Sequence, residues 1–188
     1  MPHSEIYIYA NEEMAVEKIG VNIRFFLKET MNNFSEICIL CIGSDRATGD
    51  SLGPIVGGRL REIAYLNNAR VYGDLKSPVH AANISFAIEQ IYKENKKPLI
   101  IAVDAALSGA PSHVGRLNVG LGPLKPGASV GKNLPNVGHI YITGVVNWTS
   151  KFGGLSALQS TRLGSVFDMA DVIAKGIAKA ICREGALL

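Results

Sequence analysis

The chain is predicted to be an α/β protein: a three-layer, mostly parallel twisted sheet with helices on both faces. Three observations predict it. Short apolar runs alternate with longer stretches whose apolar residues recur at helical spacing, as in successive βα units. The runs ICILCI (37–42) and PLIIAVDAA (98–106) are apolar almost throughout rather than alternating, as in parallel strands buried on both faces. The length of 188 residues, with 47% hydrophobic and 19% charged, suits a single domain with a buried core.

Taken in order, residues 12–33 place Val16, Ile19, Ile23, Phe26 and Leu27 on one face of an amphipathic helix. This helix belongs to an expected N-terminal extension, residues 1–34, laid against a core of 35–188. Its apolar face would meet either its own domain or a second subunit, so a homo-oligomer is one expected outcome. The first strand is 37–42, and a helix follows from about Leu52, with Ser51 as cap and Pro54 in its first turn. A short second strand spans 70–73, then a helix over 77–96 with Ser77 as cap and Pro78 behind it. PLIIAVDAA is the third strand, with Asp104 near its end; GRLNVGL (115–121) and HIYITGVVN (139–147) are the fourth and fifth. The Gly- and Pro-rich connection 121–138 is too long for a routine loop and reads as functional or mobile. The tail, 154–183, reads as one long helix with a stripe from Leu158 through Ile181.

Composition removes several classes of function. Net charge is +3, and the longest cationic cluster, Lys93–Lys97, is interrupted by Glu94 and Asn95, so no nucleic-acid surface is expected. No apolar run approaches the ~20 residues that cross a bilayer, and the N-terminus lacks the pattern of a signal peptide. No membrane association is expected, and the localisation is expected to be cytoplasmic. Three cysteines, Cys38, Cys41 and Cys182, make no disulfide framework. Cys38 and Cys41 form C-x-x-C inside a β run, where odd spacing sends the side chains to opposite faces, so both read as core thiols.

The informative stretch is CIGSDRATGDSLGPIVGG, residues 41–58. Strand, glycine loop and helix start suggest a phosphate cradle, but the spacing fails. From Gly43 the next glycine comes at Gly49, one residue late for a P-loop, and Asp50 stands where the lysine belongs. The dinucleotide G-x-G-x-x-G is absent as well. Nucleoside phosphorolysis, an analogy of fold alone, therefore ranks last. What remains is carboxylates. Asp50 precedes a helix and Asp104 ends a buried strand; in a doubly wound sheet those two strand ends are neighbours on the ligand-binding edge. A carboxylate pair in a partly dry site splits its pKa values and serves as base and acid, or ligates a divalent metal. The structural alternatives are a helix cap for Asp50 and a loop tie for Asp104. Asp45 and Asp74 read as turn residues at the cleft edge, with Gly49 and Ser51 beside Asp50. Of the histidines, His80 sits closest to the expected cleft, whereas His113 and His139 read as structural or exposed. No H-E-x-x-H or Cys/His cluster marks a metal site, and no G-x-S-x-G marks a serine hydrolase.

GSDRATGDSLGP (43–54), SPVHAANI (77–84) and IIAVDAA (100–106) together closely resemble the YyaC-like sporulation proteins, a likeness running from about residue 35. They are more distantly similar to the germination protease that degrades small acid-soluble spore proteins. GASVGKN (127–133), leading into HIYITGVVN, resembles that family's glycine-rich loop and includes Gly131. The hydrogenase maturation endopeptidases look similar in layout. The resemblance implies a phosphorylase/hydrolase-like fold and an aspartate-dependent, sporulation-associated peptidase. Catalytic residues would be Asp50 and Asp104, and cleft residues Gly49, Ser51, Asp45, His80 and Gly131. It implies a peptide or protein substrate, small acid-soluble spore proteins among the candidates, in the mother cell or forespore. No cofactor is expected. A divalent metal enters only through the maturation endopeptidases, whose two acids and one histidine bind nickel; Asp50 and Asp104 match the acids, and the histidine has no convincing match. The other alternative is a non-catalytic, peptide-binding member of the family.

Overall fold

A computed structural model describes residues 5–63, 66, 69–127, 134–150 and 153–182. Its strands are β1 (Glu5–Tyr9), β2 (Glu36–Cys41), β3 (Arg70–Tyr72), β4 (Pro98–Ser108), β5 (Arg116–Leu121) and β6 (Ile140–Trp148). Its helices are α1 (Ala15–Thr30), α2 (Leu52–Glu62), α3 (Ile84–Glu94), α4 (Gly154–Gln159) and α5 (Leu163–Ile181). The strands form one sheet in the order β1-β5-β6-β4-β2-β3. Pairing is parallel from β3 through β2 and β4 to β6, and antiparallel from β6 to β5 and from β5 to β1. This is the expected mostly parallel α/β sheet, with β2 and β4 adjacent in it.

Pleating sorts the side chains of each strand onto two faces. Ile39, Cys41, Ile101, Val103, Ile142, Leu117 and Val119 face a large core completed by α1, α2 and α5. Cys38, Leu40, Ile100 and Ala102 face a smaller core completed by Ile84, Ala87 and Ile91 of α3 and by Leu124 and Val137 of the long connection. Cys38 and Cys41 thus lie in different cores, as their odd spacing requires. Burial raises both thiols, Cys38 to about 11, which keeps them protonated and inert at neutral pH. No described helix is long and apolar enough to cross a membrane.

Three expectations are corrected, and the N-terminal segment carries a strand besides its expected helix. EIYIY alternates, so Ile6 and Ile8 turn inward while Glu5, Tyr7 and Tyr9 turn to the other face, and the segment closes the sheet edge as β1. Helix α1 lies on α5 of its own chain, with Ile19, Ile23 and Phe26 fully buried. Helix α3 begins at Ile84 rather than Ser77. Asp74 accepts the amides of Lys76 and Ser77, and Asn83 accepts the His80 amide while donating to the Pro78 carbonyl. Such local side-chain bonds compete with helix. The tail is two helices, α4 and α5, divided at 160–162. There Asn147 of β6 and Thr161 both donate to the Ala157 carbonyl, taking an acceptor the helix would otherwise use. Ser51, finally, is not a side-chain cap: it is already helical, and its hydroxyl donates to the Thr48 carbonyl at 2.6 Å.

Candidate active site

The site grows from the end of β2. The Ile42 amide donates to Val103 of β4, and the Gly43 amide to Val79 at 2.8 Å. The chain then reverses on Gly43, whose φ of 139° suits glycine and whose missing Cβ would lie 1.9 Å from the Asp50 carbonyl oxygen. Segment 44–50 closes on itself. The Ser44 amide donates to Asp50 Oδ2 at 2.8 Å, and the Ser44 hydroxyl reaches the same oxygen at 2.9 Å. Asp50 therefore does not cap α2. One of its carboxylate oxygens is fixed by two donors from upstream, and this bond to Ser44 had no signal in the sequence.

Asp104 lies where β4 outruns β2. The β2 ladder ends at Cys41 opposite Val103, so Asp104 is the first β4 residue past it, and on its other side it pairs with Thr143 of β6. It is 6% exposed. Its Oδ1 accepts the Ala105 amide at 2.8 Å. Burial first and the negative charge of Asp50 second raise the Asp104 carboxyl, against the lowering pull of the Ala105 and Gly127 amides, to about 7 in all. Asp104 thus holds its proton to a far higher pH than an ordinary carboxyl, with the Asp50 charge close enough to be felt.

The other expected residues fall at varying distances from this pair. His80 follows Val79, the residue bridged to Ile42 and bonded to Gly43, so it borders the same strand end; its Nδ1 accepts the Ala82 amide. Asp45 is exposed on the outer turn of the 44–50 loop. Gly49 and Ser51 are buried, Gly49 packed against Thr161, Leu158 and Val146, so both support Asp50 from below. The Ser51 and Leu52 amides already donate to Thr48 and Gly49, which leaves them poorly suited to an oxyanion. Gly131 lies outside the described residues; the amide of Gly127, at the start of its loop, reaches Asp104. Asp74 is paired with Arg61 at 2.7 Å. His113 bonds Ser108 at 2.9 Å. His139 lies at the opposite, amino end of the parallel strands, where it accepts the Ile100 amide and packs on Phe34, and burial lowers its pKa.

The donor set does not fit a resident transition metal. Among the described residues no group of three His, Cys, Asp or Glu side chains converges. His139 lies at the amino end of the parallel strands, away from the strand ends that carry the aspartates. Such sites ordinarily use three protein ligands or more.

A solved structure, the [NiFe] hydrogenase maturation protease HycI from Thermococcus kodakarensis KOD1, superposes with a TM-score of 0.51 at 16% identity, covering 82% of this chain and 97% of that one. At that identity the likeness is one of fold. Uncharacterized protein YyaC of Bacillus subtilis (strain 168) is 50% identical over 172 residues, 92% of this chain and 82% of that protein. Residues 7–176 match the family model described as a protein of unknown function, DUF1256. The chain belongs to that DUF1256 family, which on this identity includes YyaC.

Proposed function

We propose that the protein is a peptidase that hydrolyses a peptide bond with the Asp50–Asp104 pair. The observation that carries this reading is the buried Asp104 carboxyl, raised to about 7 beside a second carboxylate that Ser44 holds in place. The Asp50 carboxylate, tethered through Oδ2, takes a proton from water as the water oxygen bonds to the peptide carbonyl carbon. Protonated Asp104 gives its proton to the carbonyl oxygen. As the C–N bond breaks, the proton held on Asp50 passes to the leaving amine, and one hydroxyl proton of the gem-diol returns to Asp104 as the product carbonyl re-forms. The pair titrates as a unit, so its two apparent pKa values belong to both residues. Likeness of fold to a maturation protease supports a protein substrate.

The substrate we propose is a small acid-soluble spore protein, met in the mother cell or forespore; the sporulation assignment rests on the family resemblance. Purified protein should cut such substrates into discrete fragments seen by mass spectrometry, with and without excess chelator. Asp50→Asn and Asp104→Asn should leave them intact. Cleavage that persists in Asp50→Asn would rule out the pair mechanism, and loss in chelator would point to metal-assisted hydrolysis. Binding without cleavage by any form would favour a peptide-binding role instead.

Ser44→Ala gives a graded test. It removes the hydroxyl donor to Asp50 but leaves the amide donor. Stability in urea should drop by about 1 kcal/mol, the usual net worth of one such bond. Turnover should fall about fivefold if the same ~1 kcal/mol is lost in the transition state, since 1.4 kcal/mol corresponds to one decade in rate.

A further inference from the structure

Strand register places one more polar side chain beside the aspartate pair. Asp104 is paired on its β6 side with Thr143, and Thr143 is paired in turn with Asn118 of β5. Directly paired residues share a face, so the three side chains form one row, with neighbouring strands about 4.8 Å apart. Asp104 is buried, whereas Thr143 is half-buried. The connection after β5 comes over this row, where the Gly127 amide reaches Asp104.

The Thr143 hydroxyl is set as a donor. Its oxygen accepts Asn118 Nδ2 at 2.9 Å, and its own proton goes to no acceptor among the described residues. That proton is not spent on Asp104, whose carboxyl is held by the Ala105 and Gly127 amides. Asn118 commits its amide to this bond at a cost, since its buried Oδ1 has no partner. An unmatched buried acceptor opposes folding, and its retention asks for another use. The other donors of the centre are occupied. Ser44 gives its amide and its hydroxyl to Asp50, and the Ser51 and Leu52 amides go to Thr48 and Gly49. His80 stands on the opposite side of β2 from Asp104, next to Val79, which bridges Ile42.

We propose that Thr143 is the hydroxyl donor of the Asp50–Asp104 centre and that Asn118 positions its proton. In the free protein the hydroxyl donates to a water between Thr143 and Asp104. During hydrolysis it donates to the peptide carbonyl oxygen that Asp104 protonates, a role that rests on the peptidase reading. Negative charge gathers on that oxygen as water adds to the carbonyl carbon. A donor already in place there strengthens its bond in the transition state, which lowers the barrier rather than tightening substrate binding. The hydroxyl keeps its own proton, so the proton transfers between water, the aspartates and the leaving amine are unchanged. Asn118 acts through Thr143 alone. By filling one lone pair of the hydroxyl oxygen, it turns the proton away from β5 and toward Asp104.

Crystallography and kinetics test the two roles separately. High-resolution crystals of the full-length wild-type protein should show a water about 2.8 Å from Thr143 Oγ1, on the side that faces Asp104. Thr143→Val keeps the shape of the side chain without the hydroxyl and should lose that water. With small acid-soluble spore protein as substrate, Thr143→Val should lower kcat about 10²-fold, the loss that follows removal of one oxyanion donor, with KM unchanged. Thr143→Ser should recover most of that loss. Asn118→Leu should lower kcat to a smaller extent while leaving the melting temperature equal or higher, because it removes an unmatched buried acceptor. A merely structural pair would instead lose melting temperature and spare kcat. No water on Thr143 in the wild type, or equal cleavage by wild type and Thr143→Val, would overturn the proposal. A water lost in Thr143→Val, with no cleavage by any form, would remove the peptidase reading and keep the donor. Cleavage that is indifferent to Thr143 would do the reverse.

Discussion

Asp104→Asn should reduce hydrolysis by about 10³-fold, within the range general acid–base groups contribute, and should raise the melting temperature above pH 7. The two effects have opposite signs because they share one cause. The Asp104 carboxyl is raised from 3.8 to about 7, first by burial and then by the Asp50 charge. Between those values the folded chain binds a proton that the unfolded chain does not, so stability falls as pH rises, and the deficit is complete above about 7. Asparagine carries no charge at any pH and its amide oxygen keeps an acceptor for the Ala105 amide. Relief of a few kcal/mol would move the melting temperature by several degrees, at about 2–4 °C per kcal/mol for a chain of this size. The gain should be largest at pH 8 and shrink toward pH 4. Wild-type turnover should decline above pH 7 as Asp104 loses the proton it donates. Thermal unfolding at several pH values beside a pH–rate profile reads both effects. A lower melting temperature for Asp104→Asn at pH 8 would mean that Asp104 is a structural tie. Such opposition of activity and stability is expected where a site holds a carboxyl in an unfavourable setting.

Gly53→Ala should destabilise the fold by about 3 kcal/mol or more, the upper range of overpacking, despite the better helix propensity of alanine. A Cβ at Gly53 would lie 2.1 Å from the Ile42 carbonyl oxygen and 2.7 Å from its nitrogen. Both are backbone atoms at the end of β2, so neither can turn aside. Helix α2 would have to lift from the strand that positions Asp50. Gly58, also in α2, provides the control. Nothing lies within 4 Å of a Cβ there, so Gly58→Ala should stabilise by up to about 1 kcal/mol. Urea denaturation of the two variants separates close helix–strand approach from propensity. A Gly53→Ala protein as stable as Gly58→Ala would disprove the close approach.

What the sequence by itself determined is the sheet and the residues at its carboxyl edge. The strands β2 and β4 are apolar runs because both their faces are buried, and that continuity is visible without coordinates. Alternation of strands and helices implies a parallel sheet, and it points to the end of β2 and the end of β4, hence to Asp50 and Asp104. Tertiary structure alone decided the rest. EIYIY became a strand only because β5 was there to pair with it, a contact more than a hundred residues away in sequence. Helix α3 started late and the tail broke at 160–162 because side chains closed local turns that periodicity does not register. Ser44 holds Asp50 because the chain reverses at Gly43. Asp104 differs from other strand-end aspartates in its burial and in the charge facing it, two properties of its surroundings. Composition and period report which residues seek the core. Which polar groups share one cavity depends on register and loop closure, and those are set only when the strands pair.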